Sequence, residues 1–219
     1  MIMKRKAIIF DMGGVLVDLD SEGCKKAFVE ELGFDEINVV LDPCHQKGII
    51  GDMEEGLIGA EEFRTYVLER SNPGVQPHQV DEAFWRILLS IAPEKIDLLK
   101  RLSQKYDLYM LSNNNPVCLP RAEEMFAELG FPIYEHFKKC YFSYQMRVVK
   151  PSPEFYRAVM EDIGVPSEDM IFVDDSQKNV DASIAVGLPA VYYQPGTDLA
   201  RVLAEALMDP TILEWEVGE

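Results

Sequence analysis

Short, continuous apolar runs alternate along the chain with stretches whose apolar positions recur every three or four residues. The runs fall at 7–12, 107–112, 139–143, 170–174 and 189–193, each short enough for one strand. Unbroken hydrophobicity is what parallel strands covered on both faces require. Between the runs, residues 94–106 place Ile96, Leu99, Leu102 and Tyr106 on one helical stripe. Residues 153–163 are punctuated as a helix: Ser152 suits the N-cap, Pro153 the first helical position, and Gly164 a left-handed end. Residues 177–186 end in the same way at Gly187. Strands alternating with helices predict a right-handed, doubly wound α/β layer.

The interval from about 20 to 92 breaks this rhythm. It reads as three helices, at 21–32, around 60–71 and at 78–90, separated by Gly48, Gly51, Gly56, Gly59, Pro73, Gly74 and Pro77, with no strong strand. A helical insertion just after the first strand lies over the carboxyl ends of the sheet, where ligands bind in open α/β folds. The expected architecture is therefore a Rossmann-like three-layer parallel-sheet core, residues 1–19 and 93–219, with an inserted α-helical cap, residues 20–92.

Length and charge narrow the function. A chain of 219 residues is long enough for one full core and a smaller accessory unit. The 38 acidic against 21 basic residues give a formal charge of −17, a field that repels nucleic-acid backbones and anionic membranes as main partners. It also repels phosphorylated small molecules, so a site for one needs positive charge concentrated locally. No apolar run approaches the length of a membrane span. Residues Met1–Lys6 are basic and an apolar stretch follows, but it breaks at Asp11 without a small-residue cleavage site. These positions read as the first strand of a cytoplasmic protein. Cys24, Cys44, Cys118 and Cys140 form no C-x-x-C pair, and His45, His78 and His136 form no H-E-x-x-H pattern, which argues against zinc. Free thiols are expected.

Candidate chemistry concentrates in three distant segments: Ile8-Ile9-Phe10-Asp11-Met12-Gly13-Gly14-Val15, Lys150-Pro151, and Phe172-Val173-Asp174-Asp175-Ser176. Two apolar runs end abruptly in carboxylates, from which a buried strand gains nothing. Adjacent Asp174 and Asp175 repel each other unless a cation is present. Together with Leu111-Ser112-Asn113 after a strand, and Asn179 following the acidic pair, these segments resemble the four ordered motifs of the haloacid dehalogenase superfamily, whose members are mostly phosphatases. The resemblance covers nearly the whole chain. The insertion resembles the family's helical-cap class. Asp11-x-Gly13-x-Val15 followed by Asp18-x-Asp20, with Glu55-Gly56-x-Ile58-x-x-Glu61-Glu62-Phe63, looks like a bacterial subgroup that includes sugar-1-phosphate phosphatases.

The roles follow from the residue types. Asp11 at a strand end is placed to attack phosphorus and form an aspartyl-phosphate that water hydrolyses. Ser112, with neighbouring backbone amides, and the Lys150 ammonium would hold the transferring oxygens. Met12, Gly13, Gly14 and Asn113 complete the expected phosphate cradle, the glycines letting the chain turn and aim its amides. Mg2+ would be held by Asp11, the Gly13 carbonyl and Asp175, with Asp174 and Asn179 orienting its waters. Blander readings compete: a turn residue at Asp11, a solvated Lys150, a polar loop at Ser112–Asn115. Asp18 and Asp20 read as caps or surface residues, His45 and Lys47 as solvated rather than substrate-contacting, and Trp85 as packing at the junction of cap and core.

One position departs from the pattern. Most phosphatases of this superfamily carry a second Asp two residues after the nucleophile as general acid and base, and here that position is Gly13. Losing a general acid costs about 10²- to 10⁴-fold in rate. Either the leaving group needs little help, or a proton donor comes from the cap or the substrate, or the protein binds phosphate ligands and turns them over feebly. The expectation is a magnesium-dependent phosphomonoester hydrolase acting on a small metabolite, sugar phosphates first and flavin or nucleotide monophosphates next. A non-enzymatic phosphate-ligand binding protein and a haloacid dehalogenase are the alternatives. The latter has no use for magnesium, so the Asp174-Asp175 pair speaks against it.

Overall fold

The computed structural model describes residues 7–41 and 46–216. The basic N-terminal segment 1–6, the thiol of Cys44 and the proposed surface position of His45 lie outside the described residues. Strands β1 (Ala7–Phe10), β4 (Asp107–Ser112), β5 (Lys139–Phe142), β6 (Met170–Asp174) and β7 (Ala190–Tyr192) form one parallel sheet in the order β5-β4-β1-β6-β7. All five arise from the apolar runs of the sequence. A two-stranded antiparallel ribbon, β2 (Asp18–Leu19) with β3 (Leu88–Ser90), stands apart from the sheet.

Successive residues of β1 face opposite layers, as strand geometry demands. Ile8 and Phe10 join Leu108, Met110, Ile171 and Val173 under helices α6 (Pro93–Leu102), α7 (Cys118–Glu128) and α12 (Leu199–Leu207). Ala7 and Ile9 join Leu111, Tyr141, Met170 and Phe172 under α10 (Pro153–Ile163), with Ala182 of α11 (Gln177–Ala185) at the margin. The helices α8 (Ile133–His136) and α9 (Ser143–Met146) flank β5. Every residue of β1 is fully buried, so the unbroken apolar run is explained by two covering layers.

Between β2 and β3 the chain folds into α1 (Ser21–Ala27), a π-helical turn Phe28–Leu32, α2 (Ile37–Val40), α3 (Gly48–Glu54), α4 (Ala60–Leu68) and α5 (Pro77–Trp85). These surround a separate apolar cluster with Phe28, Phe34, Phe63 and Phe84 at its centre. The ring centroids of Phe28 and Phe34, and of Phe28 and Phe84, are 5.9 Å apart. Val117 and Cys118, from the start of α7, close the same cluster, and Trp85 Nε1 donates to Val117 O at 2.8 Å. Trp85 thus sits where the helical insert meets the sheet unit.

Several expectations need correction. The helix expected over 78–90 stops at Trp85, and Leu88–Ser90 pair with Asp18 and Leu19 instead, so the insert begins and ends on a ribbon. Helix α3 was hidden by the glycines at 48 and 51, which depress intrinsic helix propensity, and α2 is a single turn of four residues. Ser152 occupies the N-cap position of α10, but its hydroxyl donates to the Glu154 carboxylate and caps no amide. Gly164 does end that helix at φ +70°. Asp20 caps α1 by accepting from Gly23 N at 2.8 Å, and Asp18 accepts from Lys95 Nζ at 2.8 Å beside the ribbon.

Truncating Phe28 to alanine removes a ring from the centre of the insert's cluster. Phe28→Ala should cost about 3–5 kcal/mol in urea unfolding. A loss below about 1 kcal/mol would show that this cluster is not close-packed.

Candidate active site

Sheet register assembles the site. Phe10 pairs with Val173 on one side and with Met110 on the other, so Asp11, Asp174 and Ser112 leave the sheet along one carboxyl edge. Asp11 N still donates to Val173 O at 2.9 Å, which holds the first carboxylate beside the acidic pair. Lys150 arrives from the segment after α9. Its ammonium is 2.8 Å from Asp11 Oδ2 and 2.6 Å from Asp174 Oδ2.

The supporting contacts fix each group. Asn113 Oδ1 accepts from Lys150 N at 2.8 Å while Asn113 Nδ2 donates to Lys150 O at 3.1 Å, so this side chain clamps the Lys150 backbone. Its share in a phosphate cradle would fall to its main chain. Asp174 is fully buried. It accepts from Ser176 N, Asn179 Nδ2 and Lys150 Nζ, at 2.8, 3.0 and 2.6 Å. Asp174 therefore positions Lys150 and Asn179 with its acceptor capacity engaged. Asn115 Oδ1 caps α7 by accepting from Cys118 N at 2.9 Å, and Ser143 Oγ accepts from Asn114 N at 3.0 Å. Asn115 fell within the polar loop weighed in the sequence but its role did not show there, and Ser143 escaped it, since neither type nor spacing distinguishes them from other polar loop residues.

Between Asp11 and β2 the chain makes a tight turn, with Leu16 N and Val17 N donating to Met12 O and Gly14 N to Val17 O. Gly14 lies at φ +73°, and a Cβ there would collide with the Asp175 carboxylate. Only glycine lets the turn come this close to Asp175. At position 13 a Cβ would stand 3.1 Å from Leu19 Cδ1. Leu19 thus crowds the position where the superfamily pattern has its second Asp.

The electrostatics of the site suit a cation. One ligand atom from each of Asp11, Asp174 and Asp175 lies within 4.8 Å of the other two. With all three carboxyls ionised, the single Lys150 ammonium leaves two negative charges uncompensated, a state that a bound cation would favour. Burial is the first cause that raises the Asp11 carboxyl, to about 7, with Asp174 and Asp175 adding to it and Lys150 opposing. Burial, then Asp174, raises Asp175 to about 6. Lys150 goes the other way: burial disfavours its charge, yet Asp11 and Asp174 outweigh that and hold it as ammonium. All-oxygen donors of this charge fit a hard divalent cation such as Mg2+.

A cavity of about 170 Å³ opens over these groups. Asp11, Met12, Gly13, Ser112, Asn113, Lys150 and Asp175 line its floor, and Asp174 does not reach it. The insert supplies the roof with Gln46, Ile50, Glu54 and Phe84. Glu54 was missed in the sequence because α3 was not expected. Once α3 is a helix, Ile50, Met53 and Glu54 share an inward face, and a carboxylate on an apolar face is the signal. Of the other positions weighed, Lys47 ends the approach to α3 and does not line the cavity.

A family model for haloacid dehalogenase-like hydrolases matches residues 5–187. The chain is 31% identical over 203 residues to D-ribitol-5-phosphate phosphatase of Bacteroides thetaiotaomicron, spanning 92% of this chain and 98% of that one. It is 25% identical over 221 residues to a phosphorylated carbohydrates phosphatase of Thermotoga maritima, spanning 94% of each. A solved HAD family enzyme of B. thetaiotaomicron, in complex with magnesium and inorganic phosphate, superposes at a TM-score of 0.83 and 34% identity, over 90% of this chain and 98% of its own.

The contact between Gly14 and Asp175 gives a test of the metal site. Gly14→Ala should weaken Mg2+ binding about 10- to 100-fold, as loss of an outer contact does. Isothermal calorimetry reads this, with circular dichroism as the fold control. Unchanged affinity would remove Asp175 from the ligand set.

Proposed function

The chain belongs to the haloacid dehalogenase-like hydrolases, and on that footing we propose that it is a magnesium-dependent phosphomonoester hydrolase working through an aspartyl-phosphate at Asp11. The carrying observation is the cluster of buried Asp11 and Asp174, paired with the Lys150 ammonium, and half-buried Asp175, at a cavity sized for a small ligand. Asp11 and Asp175, with the Gly13 carbonyl, would hold Mg2+. When bound, the ion supplies the positive charge that lets a phosphate dianion approach three carboxylates.

The remaining work belongs to the protein's own groups. Asp11 Oδ attacks phosphorus while Ser112 and the Lys150 ammonium steady the non-bridging oxygens, with the amides of Met12, Gly13, Gly14 and Asn113 available to them. Asp174 keeps Lys150 charged and aimed. The insert's roof excludes bulk water and selects the substrate. Residues 20–92 are proposed as that cap, and residues 1–19 with 93–219 as the catalytic unit.

Substrate size supports the ranking of candidates. Ligand pockets commonly span about 300–1,000 Å³, whereas this cavity is about 170 Å³. A sugar or polyol phosphate suits it better than a flavin or nucleotide monophosphate. The names of the two phosphatase relatives agree with that order. No helix among the described residues is long and apolar enough to cross a membrane, and we propose a cytoplasmic site of action. A metal-independent dehalogenase would leave the uncompensated carboxylates without a purpose.

Phosphate release from a panel of sugar, polyol, flavin and nucleotide phosphates should require Mg2+ and stop on chelation. Asp11→Asn should lower kcat by about 10⁴-fold or more, as loss of a nucleophile does. Asp175→Ala should abolish metal-dependent turnover. Release of chloride from a haloacid without metal would instead establish the dehalogenase, and silence across the whole panel would favour a binding protein.

A further inference from the structure

We infer that Glu54, on the helical insert, is the general acid and base of the reaction, standing in for the side chain that Gly13 lacks. This role rests on the hydrolase reading above. Among the described residues, five titratable groups line the cavity: Asp11, Glu54, Cys118, Lys150 and Asp175. Asp11 is the nucleophile, and Asp175 is engaged with the metal site. Lys150 is locked between two carboxylates. Cys118 has its thiol held far above its usual range by burial, with Cys24 adding to it and Asn115 opposing. Of these five, Glu54 alone has no other task.

Its position is built into the fold. Glu54 is the last residue of α3, whose Ile50 and Met53 are sealed in the insert's apolar cluster. Two residues on, Gly56 lies at φ +70° with its Cα packed so tightly on Tyr144 O that a Cβ would collide with that carbonyl. Tyr144 belongs to α9, on the sheet unit. The end of α3 is thus pinned to the sheet unit next to the residue that faces the cavity. Glu54 belongs to the roof and Asp11 to the floor, so an ester oxygen leaving opposite Asp11 departs toward Glu54.

The protonation state agrees. Burial raises the Glu54 carboxyl to about 8; Lys150 opposes this, Asp11 adds to it, and no hydrogen bond counters the rise. Half-buried in the roof, the group is thus held toward the protonated form that a general acid needs. The charged groups facing it are Lys150 and Asp11 from the floor, with Cys118 of α7 beside it.

The steps balance. Asp11 Oδ forms a bond to phosphorus as the ester P–O bond breaks. The departing oxygen keeps that electron pair and takes the Glu54 proton, so an alcohol leaves and Glu54 becomes a carboxylate. Water then attacks the phosphorus from the vacated side and loses a proton to Glu54. The Asp11–phosphorus bond breaks with its electron pair returning to the Asp11 carboxylate, and inorganic phosphate departs with Glu54 reprotonated.

Glu54→Gln tests this, because glutamine is isosteric and neutral like the protonated acid but donates no proton. Wild type and variant would be mixed rapidly, with Mg2+, with ribitol 5-phosphate or with p-nitrophenyl phosphate, whose leaving group needs no protonation. In the variant, the first step should slow about 10²- to 10⁴-fold for the polyol ester and stay near wild type for the nitrophenyl ester. Loss of the base slows the second step for both. The nitrophenyl ester should then give a burst of one nitrophenolate per enzyme and a phosphorylated protein visible by intact mass, while the polyol ester gives neither. Calorimetry with inorganic phosphate should show binding retained. Equal slowing of the first step with both esters, or an unchanged rate with the polyol ester, would overturn the assignment while leaving the hydrolase reading intact. A wild-type protein inactive on both esters and on the wider panel would overturn the two together.

Discussion

Everything at the carboxyl edge of the sheet turns on one buried ammonium. Taking a lysine out of water costs on the order of several kcal/mol unless partners replace the lost hydration. Lys150 is almost sealed from solvent, and it recovers that cost from Asp11 and Asp174 on adjacent strand ends, while Asn113 grips its backbone from the loop after β4. One residue thereby ties together three strand termini that are far apart in sequence. The same pairings create the excess of negative charge, so the arrangement that stabilises the lysine also leaves the site hungry for a divalent ion.

The sheet was legible because both of its faces are covered. Uninterrupted runs such as Ala7–Phe10 and Met170–Asp174 admit one reading, and their polar ends mark where the covered region stops. The insert was legible in kind and obscure in detail. Gly48 and Gly51 made α3 look like a loop, while Leu88, Leu89 and Ser90 looked like the end of a helix. Their partner is Asp18-Leu19, about seventy positions earlier, and periodicity carries no information about so distant a pairing.

The site divides along the same line. Asp11, Asp174 and Asp175 announce themselves because charge at the end of an apolar run is costly, Lys150 through the likeness of Lys150-Pro151 to a family motif, and the structure brings these four together. Ser112 and Gly14 reach the same place through strand register and a left-handed turn. Glu54 is silent in the sequence: it is one acid among 38, and only the packing of Ile50 and Met53 turns it inward. Chemistry supplied by the sheet is written locally, whereas chemistry supplied by the insert depends on how two units meet.

That meeting is less of a seam than the chain order suggests. Val117 and Cys118 complete the apolar cluster of the helical insert although they open α7, and Trp85 reaches across to the Val117 carbonyl. A graft of residues 20–92 onto another sheet would leave that cluster uncapped and its tryptophan without an acceptor. The smallest portable module therefore includes the first turn of α7, and any chimera drawn at the chain crossovers alone would be cut through its own interior.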